Sequence, residues 1–276
     1  MIPRLCAPLA AVALIFGSLV AATGSADAAV TLHPGTTTVR PGGALNHFVP
    51  GGVMHHVTGA LAKEHGIKNE SESSNWSGYA ATGSDGSFSS VSSSWTEPSA
   101  NCSDGGTEYA AFWVGLDGYN SDSVEQTGTD SDCSGGSPDY YGWYEMYPAN
   151  PVYYNNPVSP GDSMSASVSV SGDTYTLVLT DNSEGWTQTQ NISESGLSDS
   201  SAEVITEAPC CLSDGNPLPL ADFGTVNYSG STANGSPMSA YGPDQIIMVG
   251  ASGDQLDTTS SMDGSGDFSN TWENES

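Results

Sequence analysis

Residues 71–276 contain no lysine, no arginine and no histidine. All four basic residues (Arg4, Arg40, Lys63, Lys68) and all five histidines (His33, His47, His55, His56, His65) stand upstream. Of the 32 acidic residues only Asp27, Glu64 and Glu70 precede Ser71, so the downstream stretch carries 29 of them and a formal charge of −29. That absence excludes most catalytic chemistry. A Ser-His-Asp or Cys-His pair needs an imidazole, a Ser-Lys pair needs an amine, and most catalytic zinc sites need histidine ligands. What remains is carboxyl, carboxamide, hydroxyl and backbone, and carboxyl chemistry without cations points to acid pH. The same charge predicts no nucleic-acid partner and no binding to anionic membranes, because phosphate repels it.

Long apolar runs are scarce too. The one present covers residues 5–22, follows Arg4, is interrupted by Pro8, Gly17 and Ser18, and gives way to small residues ending Ala26-Asp27-Ala28. This is the pattern of a secretory signal over residues 1–28, and it predicts a secreted, extracellular protein; the alternative is an uncleaved anchor. No later segment is apolar enough to span a bilayer. Cysteine is rare as well. Past the signal only Cys102, Cys133, Cys210 and Cys211 remain, an even number that predicts disulfides in an exported chain. A Cys102–Cys133 bond with a vicinal Cys210–Cys211 bond is favoured, and the other connectivities stay open.

Residues 29–70 hold every cation of the exported chain and a Gly/Pro-rich start. Such a complete partition of charge reads as a propeptide docked on an acidic domain and acting as its own inhibitor, the alternative being a flexible N-terminal extension. In acid its histidines gain charge while the domain's carboxylates lose theirs, which weakens the pairing. The 206 residues that follow suffice for one β domain with a sizeable core, expected to be a monomer. All six tryptophans and all twelve tyrosines lie there.

What is present in that part is strand pattern. Met164, Ala166, Val168 and Val170 alternate with serines, Ser171-Gly172-Asp173 turns the chain, and Tyr175, Leu177 and Leu179 alternate with threonines on the way back. Val91, Ser93 and Trp95 form another alternating set, and residues 110–116 and 245–249 are short apolar runs. No segment keeps a 3.6-residue period. The expected fold is all-β, two packed antiparallel sheets in a sandwich.

Period-two geometry then sorts the polar residues. Trp143, Glu145 and Tyr147 share one strand face, as do Gln126 with Asp130, Glu203 with Ile205 and Glu207, and Trp113 with Asp117. A sheet face mixing Trp, Tyr, Glu and Gln has the composition of a binding groove. Asp263-Gly264-Ser265-Gly266-Asp267 and Asp130-Ser131-Asp132 hint at calcium loops but lack the twelve-residue ligand pattern, and they read as solvated acidic turns. Ser77 and Ser94 have no base beside them.

Seven stretches in order, SNWSGY (74–79), FWVGLDG (112–118), VEQTGTD (124–130), WYEMYP (143–148), GDSMSASV (161–168), AEVITEAP (202–209) and PLADFGTV (219–226), resemble the glutamic peptidases, or eqolisins, of fungi and their prokaryotic relatives. The resemblance implies a concanavalin-like sandwich and a cofactor-free, metal-free acid endopeptidase acting on polypeptide substrates. It also implies a catalytic pair: Gln126, from the family's Q-T-G-x-D segment, and Glu207, the second glutamate of its A-E-W-I-x-E segment. A substrate groove is expected around Trp76, Trp113, Asp117, Asp130, Trp143, Glu145 and Tyr147. Val204 stands where the family has tryptophan, and Ala208-Pro209 where fungal members have Asp-Phe. Val204 is expected to face away from Glu207. The competing readings are a glycosidase, for which paired carboxylates in an aromatic cleft would also serve, and a carbohydrate-binding module.

Overall fold

The computed structural model describes residues 52–57, 70–209 and 216–276, with the backbone of Thr38–Val39 and Asn46–His47. The signal segment, most of residues 29–70 and the Cys210–Cys211 pair lie outside the described residues. Thr38–Val39 (β1) and Asn46–His47 (β2) pair antiparallel. The domain strands are β3 (Glu70–Ser73), β4 (Trp76–Thr82), β5 (Ser90–Thr96), β6 (Thr107–Glu108), β7 (Ala111–Leu116), β8 (Val124–Ser134), β9 (Ser137–Tyr147) and β10 (Val152–Tyr153). They continue with β11 (Ser163–Ser171), β12 (Thr174–Asp181), β13 (Trp186–Ser193), β14 (Ser201–Glu207), β15 (Thr225–Ala233), β16 (Ser236–Pro237), β17 (Asp244–Val249), β18 (Gln255–Thr259) and β19 (Phe268–Trp272). A 3₁₀ turn at Met238–Tyr241 is the one helical element among the described residues.

Alternation makes these strands. In β11 Met164, Ala166 and Val168 are buried while the serines between them are not, because successive side chains point to opposite faces. Its partner β12 meets it with Leu179 opposite Ala166 and Leu177 opposite Val168, across the turn at Gly172-Asp173. One ladder, β10-β9-β8-β7-β14-β4-β17-β18-β19-β15-β5-β11-β12-β13, runs through the domain, and every pair in it is antiparallel. It folds over on itself, so that β5, β11 and β12 pack on β7, β8 and β14. The result is the expected two-layer sandwich, with β17 passing from one layer to the other. On its second edge β17 takes β3 in parallel.

Two apolar clusters follow from the two faces of the first layer. The inner one lies between the layers and includes Phe112, Val114, Leu116, Met164, Leu177, Leu179 and Val204. Val204 therefore does face away from Glu207. The outer one gathers Trp76, Trp113, Tyr141, Trp143, Ile205 and Met54. A Cys102–Cys133 disulfide, S–S 1.96 Å, fastens the loop before β6 to β8.

Candidate active site

Opposed residues in antiparallel strands project to the same side. Across β4, β14, β7, β8 and β9 the register places three rows on the outer face of the first layer. They are Trp76–Glu207–Ala111–Asp130–Tyr141, Gly78–Ile205–Trp113–Gly128–Trp143 and Ala80–Glu203–Gly115–Gln126–Glu145. Four carboxyls (Glu207, Asp130, Glu203 and Glu145), an amide and the indoles expected from period two therefore meet on one surface. Gly128 separates two of the indoles, and a Cβ there would lie 2.1 Å from the Phe112 carbonyl oxygen, so no other residue fits. Trp76 and Trp113 pack edge to face at 4.9 Å, a contact type that contributes about 1 kcal/mol beyond burial.

Glu207 closes β14 and is fully buried. The Trp113 indole N–H donates to its Oε2 at 2.9 Å, and the Asn75 amide donates to its Oε1 at 3.4 Å. Gln126, also fully buried, donates from Nε2 to Glu145 Oε2 at 2.8 Å. Its Oε1 has no hydrogen-bond partner among the described residues. Burial holds the Glu145 carboxyl well above the usual carboxylate range; the Gln126 hydrogen bond opposes the rise and the Glu207 charge adds to it. Glu145 therefore bonds Gln126 directly and feels the charge of Glu207.

Asp130 receives the Trp143 indole N–H at 2.6 Å. The Tyr141 hydroxyl lies 2.8 Å from Asp130 Oδ2 and 2.6 Å from Asp132 Oδ2. A phenol has one hydrogen, so the second contact is a hydrogen bond only if one acid is protonated and donates to the phenol oxygen. Burial pushes both carboxyls well above their usual range, and the Asp132 charge adds to the rise at Asp130. Asp130-Ser131-Asp132 is therefore not the solvated turn expected from its composition, but a buried part of β8. Asp263 does hold an exposed turn, accepting the backbone N–H of Ser265 and Asp267.

Asp117 is not brought to this face. β7 ends at Leu116, Asp117 takes a positive φ of 66°, and its carboxylate accepts the backbone N–H of Asp199 and Ser200 at 2.7 and 2.8 Å. The positive φ breaks the alternation that pairs it with Trp113. Tyr147 stands half-buried at the end of β9, against Gly52.

Two groups went unseen in the sequence. Asn75 precedes β4, where no period applies, yet it links Glu207 to the upstream segment: its amide also donates to the Val53 carbonyl at 3.2 Å, and its Oδ1 accepts the His55 N–H at 2.8 Å. Residues 52–57 themselves lie along this face. Met54 joins the tryptophan cluster and bonds through its N–H to the Gly118 carbonyl, while His56 donates from Nε2 to the Tyr119 carbonyl at 2.7 Å. The charge partition predicts docking by charge; the contacts seen for residues 52–57 are apolar and hydrogen-bonding.

The model of the Peptidase A4 family matches residues 74–272. Aspergillopepsin-2 of Aspergillus niger is 29% identical over 214 residues, which cover 68% of this chain and 74% of the relative. The crystal structure of scytalido-glutamic peptidase with a peptide-based transition state analog superposes with a TM-score of 0.61 at 27% identity, over 72% of this chain and 98% of that one. That of aspergilloglutamic peptidase from Aspergillus niger gives 0.52 at 26% identity, over 60% and 99%.

Proposed function

The chain belongs to the Peptidase A4 family, and on that premise we propose that it is a secreted endopeptidase, working in acid, whose Glu207 and Gln126 form the catalytic pair. The observation that carries the reading is the amide of Gln126. Its nitrogen is held by Glu145, its oxygen is buried and unpartnered among the described residues, and it shares a sheet face with Glu207.

The chemistry follows from what these groups exchange. Glu207 takes a proton from water as the water oxygen attacks the scissile carbonyl carbon. Gln126 accepts a hydrogen bond from that water at Oε1. Of its two amide hydrogens one is committed to Glu145, and the other donates to the oxyanion of the tetrahedral intermediate. The C–N bond then breaks as Glu207 returns the proton to the departing amine, leaving a carboxylic acid and an amine. The indoles of Trp76, Trp113 and Trp143 give extended peptide side chains an apolar bed.

Residues 52–57 support the further reading that the upstream segment is an inhibitory propeptide. They take up the backbone and amide groups that border Glu207, and substrate needs the same face.

The test is hydrolysis of denatured casein by acid-activated protein. Glu207→Gln is expected to lower kcat by about 10²–10⁴-fold, and Gln126→Ala by about 10²-fold or more, each with an unchanged far-UV spectrum. Full activity in Gln126→Ala would refute the assigned pair.

A further inference from the structure

Where the connections that leave β7 and enter β14 meet the start of β8, three carboxylates converge. Asp117 lies in the connection between β7 and β8, Glu125 on β8, and Asp199 in the connection into β14; each offers an oxygen within 4.8 Å of those of the other two. Asp117 is fully buried and Glu125 is 1% exposed. No hydrogen bond within 3.5 Å reaches either oxygen of Glu125 among the described residues; the Ser123 hydroxyl is a weaker neighbour, and the carboxyl points into the cluster. A buried carboxylate with both oxygens bare is strongly unfavourable, and two neighbours of the same sign make it worse. The usual remedy is a lysine or arginine, and residues 71–276 contain neither. Within this domain, then, relief can come from a retained proton or from a cation bound from outside it.

We propose that Asp117, Glu125 and Asp199 form a binding site for a calcium-class divalent cation. The donor set is all oxygen, with no histidine or thiolate to favour zinc. Calcium binds oxygens at about 2.3–2.6 Å, so ligands up to roughly 5 Å apart fit one coordination sphere, which is the spread seen here. Its irregular sphere accepts a bidentate carboxylate, the role open to Glu125, whereas magnesium demands a near-octahedral set. Hydrogen bonds, including one from the Ser200 hydroxyl to Asp117 Oδ1 at 3.1 Å, fix two of its three members in place. Asp117 is positioned by the N–H groups of Asp199 and Ser200, and Asp199 Oδ1 accepts the Tyr175 hydroxyl at 2.7 Å. Asp199 itself sits at a positive φ of 49°. A bound ion would tie the connection before β8 to the one before β14. Those two strands carry Gln126, the residue after Glu125, and Glu207. The site does not rest on the peptidase reading and stands or falls by metal binding alone.

The full chain is melted near neutral pH with calcium, with magnesium and with a chelator, and is titrated with terbium, a calcium-sized probe. Tyr175 touches Asp199 and is placed to sensitise terbium emission. Millimolar calcium is expected to raise Tm by about 5 °C over the chelated protein, magnesium to raise it less, and terbium emission to appear and to fall on adding calcium. Glu125→Gln and Asp199→Asn keep the shape of each side chain, and asparagine tolerates positive φ; both are expected to lose the calcium shift and the emission. Two folded variants are used so that failure of one to fold leaves the other as the test. No calcium shift in the wild type, an equal shift from magnesium, or a shift that persists in both variants would overturn the proposal.

Discussion

Glu145 holds the amide nitrogen of Gln126 at 2.8 Å, and the two residues are directly opposed on β8 and β9. This single bond decides which end of the carboxamide faces Glu145 and which is presented to the rest of the face. A carboxamide has no charge to orient it, so its usefulness depends on such an anchor.

Removing the anchor separates orientation from binding. Glu145→Ala is expected to lower kcat by about 10- to 100-fold with KM changed only a few-fold, because the amide is then free to turn. Steady-state kinetics on a peptide substrate check this, and a rise in KM with kcat intact would assign Glu145 to substrate binding instead.

Latency is expected to depend on Gly52. Its φ is +81°, and a Cβ there would lie 2.5 Å from the Tyr147 ring. Gly52→Ala therefore disfavours docking of residues 52–57 while leaving every residue of the domain unchanged, and it should shorten the lag before activity in acid. An unchanged lag would mean that these residues do not hold the enzyme latent.

Acid is expected to loosen the same segment through His55. Burial lowers its pKa below the ordinary 6.5 while it is docked. A group with a lowered docked-state pKa supports docking above its free value and withdraws that support as pH falls below it. His55→Gln should weaken the pH dependence of N-terminal release between about pH 7 and 5, as followed by N-terminal sequencing.

The domain should be most stable in acid. Burial raises the Glu97 carboxyl from 4.5 to about 7 despite hydrogen bonds from Thr129, Ser131 and Trp95, and burial likewise lifts Asp257 well above its usual range. A raised carboxyl pKa means that the folded form holds its proton more tightly. The stabilisation is complete below the unfolded value and is lost as pH rises through the folded one. For Glu97 alone the loss between pH 4.5 and about 7 is on the order of 3 kcal/mol. Melting temperatures across that range should fall, and Glu97→Gln should flatten part of the slope; a steady climb towards neutral pH would contradict this.

Reduction of Cys102–Cys133, whose partners are 31 positions apart, is expected to cost about 3–4 kcal/mol through the freed unfolded chain. Calorimetry with and without reductant measures it.

The sequence by itself determined the layers and the faces. Alternation along 164–170 and 175–179 gave two paired strands, and parity put Trp143 with Glu145, and Gln126 with Asp130, because side chains of a regular strand have no other choice. It also determined that imidazole, amine and guanidinium chemistry is excluded from the domain, since no histidine, lysine or arginine exists past residue 70. Parity failed where regularity failed. Asp117 leaves its face because the chain turns through positive φ, and Asn75 stands outside any strand. Burial of Asp130 and Asp132 was hidden for another reason: composition reads acids as solvated, and only the packing of β8 between β7 and β9 removes them from water. Tertiary structure alone decided which end of the Gln126 amide is held, that residues 52–57 lie beside Glu207, and that Asp117, Glu125 and Asp199 meet. Each of these joins segments far apart in the chain, and local periodicity carries no information about such meetings.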